Sequence, residues 1–435
     1  MNYSQTLEYL YGQLPMFSRT GPAAYKEDIH NTVALCVAFE HPEKQFKTIH
    51  IAGTNGKGST SHQLAAILQA NGYKTGLYTS PHIRDFRERI RIDGKMISEE
   101  AVVDFVKRYQ DKKLDISPSF FELTVAMAFD YFSAERVDIA VIETGLGGRL
   151  DSTNVIQPIL SIITNIGTDH ANLLGDTRSK IAFEKAGIIK EKTPVIIGEK
   201  DAETETVFLE KTKASQSVLY WSQAHYHCTE LTTATEGMMV GITHLPSQKT
   251  ETILLDLLGH YQLLNLPAVR LAIDLLPSHG FPLNLDVSLN ALSSVKSKTG
   301  LRGRWELVSR NPDLVLDVAH NKEGIMLIRE QINLEYPNVQ LHWILGMVQD
   351  KDVNAVISML PTDAFYYCTQ AQIPRALPYT DLTNKLTVQG MHAVGYRDVN
   401  LALNAALEKA ESKDLILVCG SFFILSELDG YLEQS

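Results

Sequence analysis

The chain has 435 residues, 44% of them hydrophobic and 21% charged, with a formal net charge of -11. That is more chain than one ordinary core holds, so two or three domains are expected. The acidic balance excludes a general binder of nucleic-acid backbones, which needs a basic surface, and no apolar run reaches the length of a membrane span.

The first residues, Met1 to Leu14, lack the basic stretch and apolar run of a secretory leader. Cys36, Cys228, Cys368 and Cys419 are scattered without metal-ligand spacing, which suits buried thiols in a reducing cytoplasm. His225-Tyr-His-Cys228 has the look of a metal cluster. Alternation along a short strand gives the same pattern, and no partner pair accompanies it.

Taken in order, Lys47 to Ile51 reads as a buried strand. A Gly-rich loop follows, then a helical pattern from Ser61 to Ala70 that Asn71-Gly72 stops. Lys74 to Thr79 is the next expected strand. A long helical pattern from Phe120 to Arg136 precedes two short β-rich runs, Val137 to Glu143 and Ile159 to Thr164. Between Ala202 and Leu258 the β alternation is too weak to place strands. After Lys296-Ser-Lys-Thr-Gly300 the pattern restarts, with strands expected at Leu314 to Val318, Leu341 to Leu345, Ala364 to Cys368 and Leu415 to Cys419. A helix is expected from Leu401 to Glu411. Strands alternating with helices predict an α/β protein. The division expected is an N-terminal P-loop-type, mainly parallel sheet domain over 1–297 and a smaller C-terminal Rossmann-like α/β domain over 298–435.

The octet Gly53-Thr-Asn-Gly-Lys-Gly-Ser-Thr60 is the most informative segment. Its glycines, Gly53, Gly56 and Gly58, let backbone N–H groups of Thr54, Asn55 and their neighbours turn toward phosphate oxygens at a helix start. Lys57 would neutralise the β- and γ-phosphates, and Ser59, with Thr60 beside it, would face magnesium. The standard phosphate loop has Ser or Thr directly after its Lys. Here Gly58 stands in that place, and a ligand-free Gly-rich turn is the competing reading.

Three further residues attract notice. Glu143 closes an apolar strand and could bind magnesium beside a triphosphate; a solvated strand-end carboxylate is the alternative. His170, after Asp169, could ligate a second metal or be structural. Lys185 follows Glu184 in a helix ending at Gly187, where a surface ion pair would explain it equally well.

Together these segments resemble the folylpolyglutamate synthase and dihydrofolate synthase family, within the Mur ligase superfamily. The superfamily features are the Gly53–Thr60 loop, Glu143, Asp169-His170 and Glu184-Lys-Ala-Gly-Ile188. The folate branch adds Ser80-Pro-His82 followed by Phe86-Arg-Glu-Arg-Ile90, Ser119-Phe-Phe-Glu-Leu-Thr124, Gly145-Leu-Gly-Gly-Arg-Leu-Asp-Ser-Thr-Asn154, Gly303-Arg304 and Leu316-Asp-Val-Ala-His-Asn321. The likeness runs from about residue 19 to Ser421.

The resemblance implies roles residue by residue. Ser59, Ser80 and Glu143 lie near one magnesium ion and His170 near a second. Lys185 matches a position often carbamylated, and the resulting anion could contact that second metal. Asn265, Arg304, Asp317 and His320 match nucleotide contacts. Ser80, Pro81, His82, Phe120, Phe121, Leu150 and Asp151 match the folate site, Phe120, Phe121 and Leu150 in its pterin region. One departure stands out: the family often has His where Gly259-His-Tyr-Gln262 places Tyr261. The implied catalytic set is Lys57, Glu143, His170, Lys185 and His320. The implied reaction joins L-glutamate to dihydropteroate, to the glutamate tail of reduced folates, or to both, through an acyl phosphate, with ATP and two magnesium ions. A cytoplasmic monomer without nucleic-acid or membrane partners is expected. A Mur-type peptidoglycan ligase and a nonenzymatic nucleotide switch are the competing functions.

Overall fold

The computed structural model describes residues 1–16, 21, 28–234 and 237–431. The chain forms two compact units, Met1–Asp256 with Gln262–Leu301, and Leu257–Tyr261 with Arg302–Ser435.

In the first unit the strands are β1 (Lys47–Ala52), β2 (Thr75–Tyr78), β3 (Ile90–Ile92), β4 (Lys95–Met96), β5 (Ile139–Glu143), β6 (Leu160–Ile163), β7 (Val195–Ile197) and β8 (Leu219–Trp221). They make one sheet in the order β4-β3-β2-β5-β1-β6-β7-β8. From β2 through β8 every neighbouring pair is parallel; β3 and β4 add an antiparallel edge. β5 and β6 are buried at every position, as continuous apolar runs must be when helices cover both faces. From β1 the chain runs outward to β2, returns to β5 beside β1, and then crosses to β6 on the other flank. That reversal opens a crevice at the carboxyl ends of β1, β5 and β6, where doubly wound sheets bind ligands.

Local chemistry fixes the helix that covers one face. Ser119 and Glu122 form a reciprocal capping box, with Glu122 N donating to Ser119 Oγ (3.2 Å) and Ser119 N to Glu122 Oε2 (2.6 Å). The helix Phe120–Ala134 therefore starts where its pattern predicts. It buries Leu123, Val125, Met127, Phe129 and Phe132 in the main core of the unit.

The stretch without a legible pattern contains the helix Glu205–Ala214, β8 and a separate antiparallel sheet of β9 (Tyr226–Ala234), β10 (Gly237–His244) and β11 (Lys249–Leu255), ordered β11-β10-β9. Tyr226 and Cys228 face inward while His227 is exposed, so the His225–Cys228 motif is strand alternation. Among the described residues no group of three or more His, Cys, Asp or Glu is placed to hold a metal.

The second unit holds β12 (Glu306–Ser309), β13 (Asp313–Leu316), β14 (Leu341–Leu345), β15 (Phe365–Cys368), β16 (His392–Gly395) and β17 (Leu415–Cys419). Their order is β12-β13-β17-β14-β15-β16, all parallel except the β12 edge. The helix predicted from Leu401 begins earlier, at Val399, because Asp398 caps it by accepting from Leu401 N (2.9 Å). No helix among the described residues is long and apolar enough to cross a membrane.

Candidate active site

The Gly-rich loop leaves β1 at Ala52 and enters a helix at Lys57, not at Ser61. Two of its glycines are required by space. A Cβ on Gly53 would lie 1.8 Å from Thr164 Oγ1, and one on Gly56, whose φ is +82°, would lie 2.2 Å from Asn265 Oδ1. The loop is held from the β6 side. Thr54 N and Asn55 N donate to Asn165 Oδ1 (3.2 and 2.9 Å), Thr164 Oγ1 donates to Asn55 O (2.6 Å), and Gly167 N donates to Thr54 Oγ1 (2.9 Å). Gly56 offers no side-chain cap, so the first helical N–H groups face whatever binds in the loop. Pattern reading passed over Thr164, Asn165 and Gly167, since nothing local marks a polar residue after a strand as a brace for a loop more than a hundred residues away.

Ser59 is buried, and its Oγ accepts from Gln262 Nε2 (3.0 Å). Gln262 Oε1 in turn accepts from Asn265 Nδ2 (2.9 Å) and Gln63 Nε2 (3.2 Å). One amide thus orients both the Ser59 hydroxyl and the Asn265 side chain. Gln262 is a further residue the sequence did not single out. Thr60 is fully buried, and its hydroxyl has no hydrogen-bond partner among the described residues.

Two lysines converge on one oxygen. Lys57 Nζ donates to Gly53 O (3.1 Å) and Thr54 O (3.2 Å), and Lys185 Nζ donates to the same Gly53 O (2.8 Å). Lys185 is 3% exposed, so the surface-pair reading is incorrect. Glu184 pairs instead with Arg149, whose Nη2 donates to Oε1 (2.9 Å). Burial first, and then the charge of Lys57, push the Lys185 ammonium down to about 7, against the pull of Asp169 and Asp151. Its amine is therefore partly neutral at ordinary pH.

Glu143, at the end of β5, is 4% exposed, and its Oε2 accepts from Ser80 N (3.1 Å). It is not a solvated carboxylate. His170 sits in the left-handed region, φ +55°, its backbone N donating to Asp169 Oδ1 (2.8 Å) and its Nε2 3.8 Å from Asp169 Oδ2.

Around the expected folate site, Phe120 is buried against Tyr11 and Phe86. The Arg89 guanidinium lies 5.2 Å above its ring and donates through Nε to His82 Nδ1 (2.7 Å). That fixes His82 as the neutral tautomer protonated on Nε2, and burial with the Arg89 charge pushes its imidazolium down to about 3. A Cβ on Gly145 would strike the Phe121 ring at 2.4 Å. Pro81 is exposed and Leu150 half-buried. Asp151 is committed to its own loop, accepting from Leu146 N (2.8 Å), Thr153 N (2.9 Å) and Thr153 Oγ1. It braces the segment that presents Leu150.

In the second unit Asp317 follows β13 and is 2% exposed. Its Oδ2 accepts from Trp305 N and Tyr261 Oη, and its Oδ1 from Ala319 N, each at 2.7 Å. The Arg304 guanidinium stacks over Phe422 at 5.2 Å, and His320 Nδ1 lies 2.9 Å from Val318 O.

A phosphate-type loop at the switch point of a parallel sheet, flanked by a buried carboxylate and paired lysines, is the equipment of an ATP-using ligase. Residues 51–273 match the Mur ligase middle domain and residues 303–422 the Mur ligase, glutamate ligase domain. The dihydrofolate synthase/folylpolyglutamate synthase of Bacillus subtilis is 32% identical over 98% of each chain. The Escherichia coli protein solved in complex with DHPP and ADP superposes with a TM-score of 0.85 at 26% identity, covering 98% of this chain and 96% of that one. The bifunctional enzyme of Yersinia pestis, complexed with AMPPNP and a Mn ion, gives 0.83 at 27% identity, over 98% and 97%. This chain belongs to the folylpolyglutamate synthase/dihydrofolate synthase family of the Mur ligase superfamily. It is an ATP-dependent glutamate ligase, and the peptidoglycan and nonenzymatic readings fall away.

Proposed function

We propose that the chain joins L-glutamate to the carboxylate of dihydropteroate, to the glutamate tail of reduced folates, or to both. The observation that carries this reading is the convergence of Lys57 and Lys185 on Gly53 O, behind a loop built for phosphates and next to the strand that ends in Glu143. A substrate carboxylate oxygen attacks the γ-phosphorus of ATP, the bond to the β–γ bridging oxygen breaks, and ADP leaves. The glutamate amine then attacks the acyl carbon, the C–O bond to phosphate breaks, and the nitrogen releases a proton. Lys57 neutralises charge on the β- and γ-phosphates during the first step. Asn265, Arg304, Asp317 and His320 are assigned to the nucleotide. Ser80, Pro81, His82, Phe120, Phe121 and Leu150 are assigned to the pteridine-bearing substrate, with Asp151 supporting their loop.

The donor set fits magnesium. Hydroxyls of Ser59 and Ser80 with a single carboxylate, Glu143, suit a hard cation that takes its other ligands from water and phosphate, in keeping with the lack of a multi-ligand cluster among the described residues. When bound, the cation supplies charge neutralisation at the transferring phosphoryl oxygens. His170 and Lys185 are assigned to a second ion. A neutral Lys185 amine can attack the carbon of CO2, forming an N–C bond and releasing a proton, and so become a carbamate anion. The test is ADP release with L-glutamate, measured with dihydropteroate and with tetrahydrofolate side by side. Turnover with at least one is expected, and turnover with neither would remove the reading.

A further inference from the structure

We propose that Tyr261 is a positioning residue for the nucleotide: its hydroxyl fixes the Asp317 carboxylate so that one acceptor site stays open to a donor of the bound nucleotide, a ribose hydroxyl or the adenine amine. This rests on the assignment of Asp317 to ATP. A carboxylate offers about four acceptor sites. Two protein donors, Trp305 N and Tyr261 Oη, share Oδ2, and Ala319 N takes one site on Oδ1. The remaining site is on Oδ1, and the tyrosine decides which oxygen is left. Burial and the adjacent Asp317 charge hold the phenol well above its ordinary 10, so it remains a donor throughout the working pH range.

The surroundings are built to place this ring. Residues 257–261 form a short strap belonging to the second unit. The Gln331 side-chain amide grips it twice, donating from Nε2 to Leu258 O (2.8 Å) and accepting at Oε1 from His260 N (2.9 Å). Gly259 leaves room for the phenol, since a Cβ there would lie 2.6 Å from Tyr261 Cζ. The next residue, Gln262, is the one that holds Ser59 and Asn265. A phenylalanine would fill the same core space, so only the hydroxyl's bond to Asp317 requires tyrosine.

The test compares Y261F, G259A and D317A with the wild type in full-length enzyme, reading ADP affinity by calorimetry, KM for ATP, kcat and thermal stability. Y261F removes only the hydroxyl; G259A keeps it but displaces the ring. Both should weaken ADP binding and raise KM for ATP about tenfold, the scale of one charge-assisted hydrogen bond. KM for glutamate should not move, and kcat at saturating ATP should fall less than KM rises. D317A should weaken ADP at least as much. If D317A weakens ADP and Y261F does not, the positioning role is overturned while the assignment of Asp317 stands. If D317A leaves ADP affinity unchanged, the assignment falls and the proposal with it. A Y261F enzyme that only melts earlier, with unchanged ADP affinity, also overturns it.

Discussion

Replacing Lys185 by methionine separates what this side chain does from what its burial costs. In the fold it titrates at about 7, against 10.5 for a free lysine. Between those values the unfolded chain binds more protons than the folded one, so stability rises with pH across that window. At about 1.36 kcal/mol per unit, the gap opposes folding by about 4 kcal/mol at pH 7. Methionine has no charge to desolvate, and Gly53 O keeps its bond from Lys57. In CO2-free buffer at pH 7, Lys185→Met should therefore be more stable than the wild type, by up to that amount. The advantage should vanish as the pH approaches 10.5. Turnover should move the other way, falling at least ~100-fold, as when one transition-state charge is lost. Urea unfolding at pH 7 and at pH 10, with ADP release on the same preparations, measures both. A variant less stable than the wild type at pH 7, or one that turns over normally, refutes the reasoning.

Lys57→Ala should keep the fold, because among the described residues Nζ bonds only to loop carbonyls, and should lose at least ~100-fold in turnover; near-normal ligation would remove the phosphate-loop assignment. Glu143→Gln retains the shape that receives Ser80 N but loses the charge, so the magnesium concentration for half-maximal rate should rise. Unchanged magnesium dependence at normal rate would leave Glu143 a structural carboxylate.

The strands β1, β2, β5, β6, β13, β14, β15 and β17 were legible because each is a largely buried run with little polar interruption, and β14 and β17 end where their apolar runs end; the partly exposed edge strands β4, β8, β12 and β16 were not. The three-stranded sheet was not, because β11, Lys-Thr-Glu-Thr-Ile-Leu-Leu, buries only Ile253 and Leu255, too few to register as alternation. Lys185 shows the limit of pair rules. Adjacency to Glu184 suggested a surface ion pair, yet Ile181, Ala182, Lys185 and Ala186 share one helical face, and that face is buried. The helical period carried the answer that the charge pair obscured. Asn165 and Gln262 were missed for another reason. Each acts on a group that only tertiary structure brings near, so no spacing announces it.

The acyl phosphate is the centre of this account, and oxygen-18 tests it most directly. With dihydropteroate or a reduced folate labelled in the acceptor carboxylate, and with ATP and L-glutamate, the oxygen that attacks the γ-phosphorus must stay with it when the amine displaces phosphate. One labelled oxygen per turnover should appear in inorganic phosphate. Ligated product accompanied by unlabelled phosphate would contradict the mechanism.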